Sequence, residues 1–161
     1  YMRLRFSRDE SVLAASSLIT GIHLFDTKTG VEIRRIPCPS LAVTGIGFGP
    51  TTDDIAIGTW DGSAFVLDAE TDEWLKLPMP TDGQVGRVVF GVNFNKDGTR
   101  MATTQLDNTL LIWDRAERKV IRRIDRLVGY AAGNAFSPDG NHIATGAGHN
   151  RRGEVRLWAL E

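Results

Sequence analysis

The sequence has a single cysteine, Cys38, and only three histidines, His23, His142 and His149, which stand far apart. One cysteine excludes an internal disulfide, so a reducing, cytoplasmic setting is expected. Scattered histidines without a cysteine companion lack the spacing of a metal-ligand set, so no metal is expected. A phosphate-cradling glycine loop, a nucleophile elbow and a zinc-protease helix motif are all missing, so neither a cofactor nor an enzymatic activity is expected. Charge of one sign is missing as well. Nineteen Lys and Arg against 20 Asp and Glu leave a formal charge of −1, so no global field recruits nucleic acid or an anionic membrane. No apolar run is long enough to span a bilayer, and no signal peptide is visible. What is present, 42% hydrophobic residues in a chain of 161, is enough for a packed core.

Those hydrophobic residues recur in a frame. Aligned on Phe6, Phe48, Phe94 and Phe136, four stretches stack without a gap: FSRDESVLAAS, FGPTTDDIAIG, FNKDGTRMATT and FSPDGNHIATG. Each phenylalanine ends one apolar run; Leu13, Ile55, Met101 and Ile143 begin the next, followed at once by Ala14, Ala56, Ala102 and Ala144. The alanine column suggests a place where neighbouring backbones come close. A closing anchor follows nineteen residues after the phenylalanine, at Phe25, Leu67 and Trp113, and twenty-two residues on in the fourth copy, at Trp158. Fixed offsets at a period of about forty residues indicate one structural unit repeated as blades or solenoid turns.

Within a unit the runs are short, rich in β-branched and aromatic residues and divided by turn signals, which predicts strands. Asp97-Gly98 and Asp139-Gly140 are hairpin turns by composition, since glycine tolerates positive φ. Ile22 and Leu24, Ala64 and Val66, Leu110 and Ile112, and Val155 and Leu157 lie two apart, so each pair is expected on one core-facing side of its strand. Each unit therefore reads as strands a, b and c, then an outer strand d at Glu32 to Ile36, Glu73 to Leu77 and Lys119 to Ile124. A four-stranded antiparallel sheet cannot bury both faces alone, so the sheets are expected to stack around an axis as an all-β propeller of about four blades, covering roughly 1–37, 42–77, 88–124 and 131–161.

Ile112-Trp113-Asp114, Leu24-Phe25-Asp26, Val66-Leu67-Asp68 and Leu157-Trp158, each after an F-S-P-D-G-like turn, make the chain resemble the WD-repeat β-propellers over nearly its whole length. Members of that family commonly carry a histidine before strand a, linked to an aspartate in the b–c turn. Here no histidine stands before any repeat, and the aspartate survives as Asp61 and Asp107, with Ile19 and Arg152 in the corresponding places. The blades are expected to be divergent and held mainly by apolar stacking. Fifteen strands are counted, the fourth unit lacking its outer one, so the chain is expected to be a piece of a larger propeller or a half-propeller that closes with another copy through its open edges.

Several side chains are candidates for function. The family resemblance and the physics of loops on a rigid scaffold place recognition on the end formed by the b–c and d–a loops. Trp60 is the first choice, as a partner anchor or as a side chain folded over the neighbouring blade. Leu106, Tyr130 and Arg151 complete a ring with it; Arg152 joins Arg151 in the loop Gly146 to Gly153, which holds the three-residue insertion, and Arg87 joins Met79 in the long loop Pro78 to Arg87. Arg3, Arg5, Arg8 and the equivalent pairs Arg34-Arg35 and Arg122-Arg123 form a basic rim or, alternatively, cover a wet strand edge with their stems. Asp26, Asp68 and Asp114 are expected to cap turns, and Asp53-Asp54 to form a solvated hairpin tip. The expected function is a non-enzymatic scaffold binding a protein or peptide; the alternative is a sensor or docking module of a larger signalling or enzymatic protein.

Overall fold

The computed structural model of the chain describes residues 3–17, 19–40, 42–51, 53–80, 88–125, 127, 129–149 and 152–160, and only the backbone of Tyr130, Ala132, His149 and Arg152. The described residues form fifteen strands and no helix. The first sheet holds β1 (Leu4–Phe6), β2 (Val12–Ser17), β3 (Gly21–Asp26) and β4 (Glu32–Ile36). The second holds β5 (Val43–Phe48), β6 (Ile55–Thr59), β7 (Ala64–Asp68) and β8 (Glu73–Lys76). The third is β9 (Val89–Phe94), β10 (Arg100–Gln105), β11 (Leu110–Asp114) and β12 (Lys119–Ile124); the fourth is β13 (Tyr130–Phe136), β14 (His142–His149) and β15 (Arg152–Ala159). Every sheet is an antiparallel meander in chain order. Their first strands line up at the centre, β1 beside β5, β5 beside β9 and β9 beside β13. The result is a partial β-propeller of four blades.

The turns form for local reasons. Gly98 and Gly140 hold φ of 73° and 74°, and the preceding aspartates accept the backbone N–H of Thr99 at 2.9 Å and of Asn141 at 3.0 Å. In the c–d turns, Asp26 accepts the N–H groups of Lys28 and Thr29, Asp68 those of Glu70 and Thr71, and Asp114 that of Glu117, all within 3.1 Å. The Thr29 hydroxyl, seconded by its amide, holds the Asp26 carboxyl below the usual range; the amides of Thr71 and Glu70 do the same to Asp68. Their role is to close turns.

Strand alternation gives each sheet two unlike faces. One carries the alanine column with the paired aliphatics of strand c; the other carries the phenylalanine column and the closing anchor. Stacking always sets an alanine face against an anchor face. Ala14, Ile22 and Leu24 of the first sheet pack on Ile55 and Leu67 of the second. Ala56, Ala64 and Val66 pack on Phe94, Met101 and Trp113, and Ala102, Leu110 and Ile112 pack on Phe136, Ile143 and Trp158. The fourth pair departs from the expected burial. Val155 and Leu157 are 81% and 67% exposed, because no sheet of the described chain stacks on that alanine face. Leu4 and Phe6, on the anchor face of the first sheet, are exposed for the same reason. Backbones of neighbouring blades come close at glycines: a Cβ on Gly47 would overlap the carbonyl oxygen of Val92 in the next blade, and one on Gly58 would lie 2.5 Å from that of Val89.

Apolar stacking is not the only tie between blades. Arg34 of the first outer strand reaches Asp72 and, at 3.8 Å, Asp53 of the second blade. Arg122, its counterpart in the third blade, donates to the carbonyl of Ala159 in the fourth at 2.6 Å. The second arginine of each pair stays local, Arg35 on Glu32 at 2.9 Å and Arg123 on Asp125 at 2.7 Å. These four arginines thus join strand edges and neighbouring blades. Asp54 corrects the expectation of a solvated tip, since it is buried and ion-paired with Arg115 of the third blade. Asp53 beside it remains largely in water.

Candidate partner-binding face

The b–c turn of the second blade is built around Asp61. One carboxylate oxygen accepts the Thr59 hydroxyl at 2.5 Å and the Ser63 amide at 2.9 Å. The other accepts the hydroxyl of Ser40, from the d–a loop, at 3.1 Å. Burial opposes ionisation of this group, but the hydrogen bonds from Thr59, Ser63 and Ser40 outweigh it and hold the carboxyl below its ordinary value. Ser40 thereby ties the two loops that a histidine would tie in the resembling family. Sequence reasoning missed it, because a lone serine in a loop has no periodic signature.

The same loops are joined by backbone. The Trp60 amide donates to the carbonyl of Ala42 at 3.1 Å, and the Leu106 amide, in the same column of the third blade, donates to Val88 at 2.9 Å. Ala42 holds a φ of 59°, a left-handed conformation that costs a residue with a Cβ about 1 kcal/mol or more. The turn is thus held fast on both sides while the Trp60 side chain projects from it, 57% exposed. Leu106 is half-buried. A fixed backbone carrying an exposed indole suits recognition, because little freedom remains to be lost on binding.

The remaining candidates divide. Arg87 and Arg151 lie outside the described residues. Tyr130 opens β13 opposite Gly148, and Arg152 opens β15 opposite His149. That pairing corrects the view of Gly146 to Gly153 as an open loop. Gly146 faces Val155 and Gly148 faces Gly153, so the insertion lengthens the b–c hairpin. Met79, expected as a contact residue, packs against the core between the second and third blades.

Among the described residues no group of three or more His, Cys, Asp or Glu is placed to hold a metal ion. His23 lies on the open anchor face of the first blade, 3.3 Å from Glu32 and 2.6 Å from the Thr20 hydroxyl. Burial pushes the Cys38 thiol up to about 11, against a backbone hydrogen bond at Ile22 that works the other way, which leaves it a poor nucleophile at neutral pH.

Comparison with known proteins agrees with this architecture. Residues 80–114, the third unit, match the family WD domain, G-beta repeat. WD repeat-containing protein 55 of Mus musculus is 28% identical over 138 residues, which cover 84% of this chain and 35% of that protein. Echinoderm microtubule-associated protein-like 4 of Mus musculus is 31% identical over 118 residues, 71% of this chain and 11% of its own length. Chromatin assembly factor 1 subunit FAS2 homolog of Oryza sativa subsp. japonica is 26% identical over 116 residues, 66% of this chain and 21% of its own. The chain spans about a third or less of the length of these curated relatives. One frame repeated four times on four stacked sheets, matched in its third copy and shared with repeat proteins of the same kind, places the chain in the WD-repeat family.

Proposed function

We propose that the chain is a non-enzymatic scaffold that holds a protein or peptide on the end formed by its b–c and d–a loops. The observation that carries this reading is Trp60, an exposed indole on a turn pinned by Asp61, Ser40 and Ala42. Large aromatics in such places dominate binding energy once a partner excludes water from them. Leu106 and Tyr130 would extend the apolar contact, and Arg87, Arg151 and Arg152 would meet polar or acidic groups around it. One relative is named as a subunit of a chromatin assembly factor, and a multi-protein assembly is the setting this reading expects. Within a longer polypeptide the same end would serve as its docking module. A reducing, cytoplasmic environment belongs to the same reading.

The test is a displayed peptide library selected on the chain, with affinities then measured by calorimetry. Trp60→Ala combined with Arg151→Ala should weaken the selected peptides by about 2 kcal/mol or more, roughly thirtyfold. Ile33→Ala, an exposed residue of the first outer strand, should leave them unchanged. Peptides bound equally well by the double variant would sink the reading.

A second reading is favoured by the two open faces. The anchor face of the first blade forms a groove of about 710 Å³ lined by Leu4, Phe6, Leu13 and Phe25. Val155 and Leu157 on the fourth blade occupy the columns of Leu110 and Ile112, which pack on Phe136, Ile143 and Trp158. Those three share columns with Phe6, Leu13 and Phe25. A second copy can therefore stack head to tail by the contact already used inside the chain. Light scattering should give at least twice the 17.7 kDa chain mass at micromolar concentration, reverting to one chain mass in Leu157→Lys. A monomer at all concentrations would overturn this.

A further inference from the structure

The inner strands of the four blades share a column three residues before each phenylalanine: Arg3, Gly45, Gly91 and Gly133. Two of the glycines answer to packing, since a Cβ on Gly45 would lie 2.8 Å from the Phe90 carbonyl and one on Gly91 would lie 2.9 Å from the Asn134 amide nitrogen. Gly133 does not, because a Cβ there meets nothing within 4 Å. It stands opposite Gly146, itself opposite Val155, so a Cβ there would point to the alanine face on which no sheet of the described chain stacks. The inner edges of these strands, with Arg3, Leu4, Arg5, Ile46, Phe90 and Val92 beside the three glycines, line a central cavity of about 270 Å³.

Both arginines lie on one side of the first inner strand by alternation and line the cavity together with Leu4 between them. Arg3 is held in place. Its backbone N–H donates to the Ser16 hydroxyl at 2.9 Å, and its Nε–H donates to the carbonyl of Thr44 at 2.6 Å. Thr44 is itself fixed by its hydroxyl, which donates to the Val89 carbonyl at 2.7 Å. That leaves the terminal amino groups of the guanidinium as a fork of donors. The arginines of the outer strands are paired with carboxylates or carbonyls, as described above. Among the described residues no carboxylate pairs with Arg3 or Arg5, and none lines the cavity. Two arginines lining a small space otherwise bounded by glycine backbone and apolar residues, in a chain of net charge −1, form a local positive site that the overall composition does not produce.

We propose that this central cavity binds a small oxyanion, a phosphate or carboxylate group, between Arg3 and Arg5. The site stands apart from Trp60 and does not depend on the partner-binding reading. Inorganic phosphate and acetate are the two probes, each titrated at constant ionic strength with chloride while the arginine Nε–H resonances are followed by NMR. A saturable shift at Arg3 with either anion, and none at Arg35, which is committed to Glu32, is the expected result. Saturation by phosphate alone assigns the site to phosphate groups, and by acetate alone to carboxylates. Arg5→Gln should weaken binding about tenfold or more. Arg3→Gln, read at the Arg5 Nε–H, should do the same. No saturable shift at Arg3, equal shifts at all arginines, or unchanged affinity in both variants would overturn the assignment.

Discussion

Trp113→Ala should lower the free energy of unfolding by about 3–5 kcal/mol, the range for removing a large aromatic from a packed core. The indole is fully buried, lies in the core between the second and third blades with Val66, Leu77 and Met101, and donates its Nε1–H to the Thr103 hydroxyl at 3.0 Å. Both the apolar area and the hydrogen bond are at stake, and two further variants separate them. Trp113→Phe keeps most of the area but strands a fully buried hydroxyl, which costs about 1–3 kcal/mol on its own. Adding Thr103→Val to Trp113→Phe removes the stranded group and should recover part of that loss. Trp158→Ala gives the reference, since that indole makes the same 3.0 Å bond to Thr145 but is only half-buried, and its loss should be clearly smaller. Urea unfolding followed by circular dichroism measures all four. A loss under 1 kcal/mol for Trp113→Ala would mean that the second and third blades do not unfold together.

Arg115→Ala is expected to cost about 2–3 kcal/mol, because it strips the charged partner from a buried carboxylate. The guanidinium pairs with Asp54 across the interface between the second and third blades and also lies over the Phe94 ring, 5.6 Å from its centroid, so part of the loss is a cation–π contact. Asp54→Ala should cost less, since the arginine it leaves behind is a third exposed and can turn to water. The double variant is the decisive one. With both charges gone no buried group is left unpaired, so its loss should fall short of the sum of the single losses by at least about 1 kcal/mol. Strict additivity would show that the pair contributes nothing as a pair.

The parts of this fold that were legible in the sequence are those written in local chemistry. Aspartate-glycine turns, capping aspartates and strand alternation act within a few residues, and their fourfold recurrence separates signal from accident. What escaped depends on partners distant in sequence. Asp53 and Asp54 look alike as neighbours, yet one is wet and the other faces an arginine 61 residues away in another blade. Alternation assigns Val155 and Leu157 to one face but does not say whether another sheet covers it. The insertion near Gly146 has a loop-like composition, yet its backbone is paired. One overlooked signal was within reach. Trp113 and Trp158 donate to Thr103 and Thr145, and in the copies closed by Phe25 and Leu67, which have no donor, the threonine column holds Ala15 and Ile57. Donor and acceptor change together along the columns. For the partner-binding face, the repeat columns identified the exposed turn at Trp60, but the polar tie beneath it, Ser40 to Asp61, could be recognised only in three dimensions.

The unlike faces of each blade give the array a direction. Because an alanine face always receives an anchor face, every seam is heterologous and repeats the one before it, and a blade set in backwards would bring two bulky faces or two sparse ones into contact. Growth by duplication is therefore a one-way ratchet: a copied blade arrives with both halves of the joint it needs, and excision of a blade leaves two halves that still match. No single seam encodes how many blades there are. That number is a property of curvature, settled only when the last face meets the first.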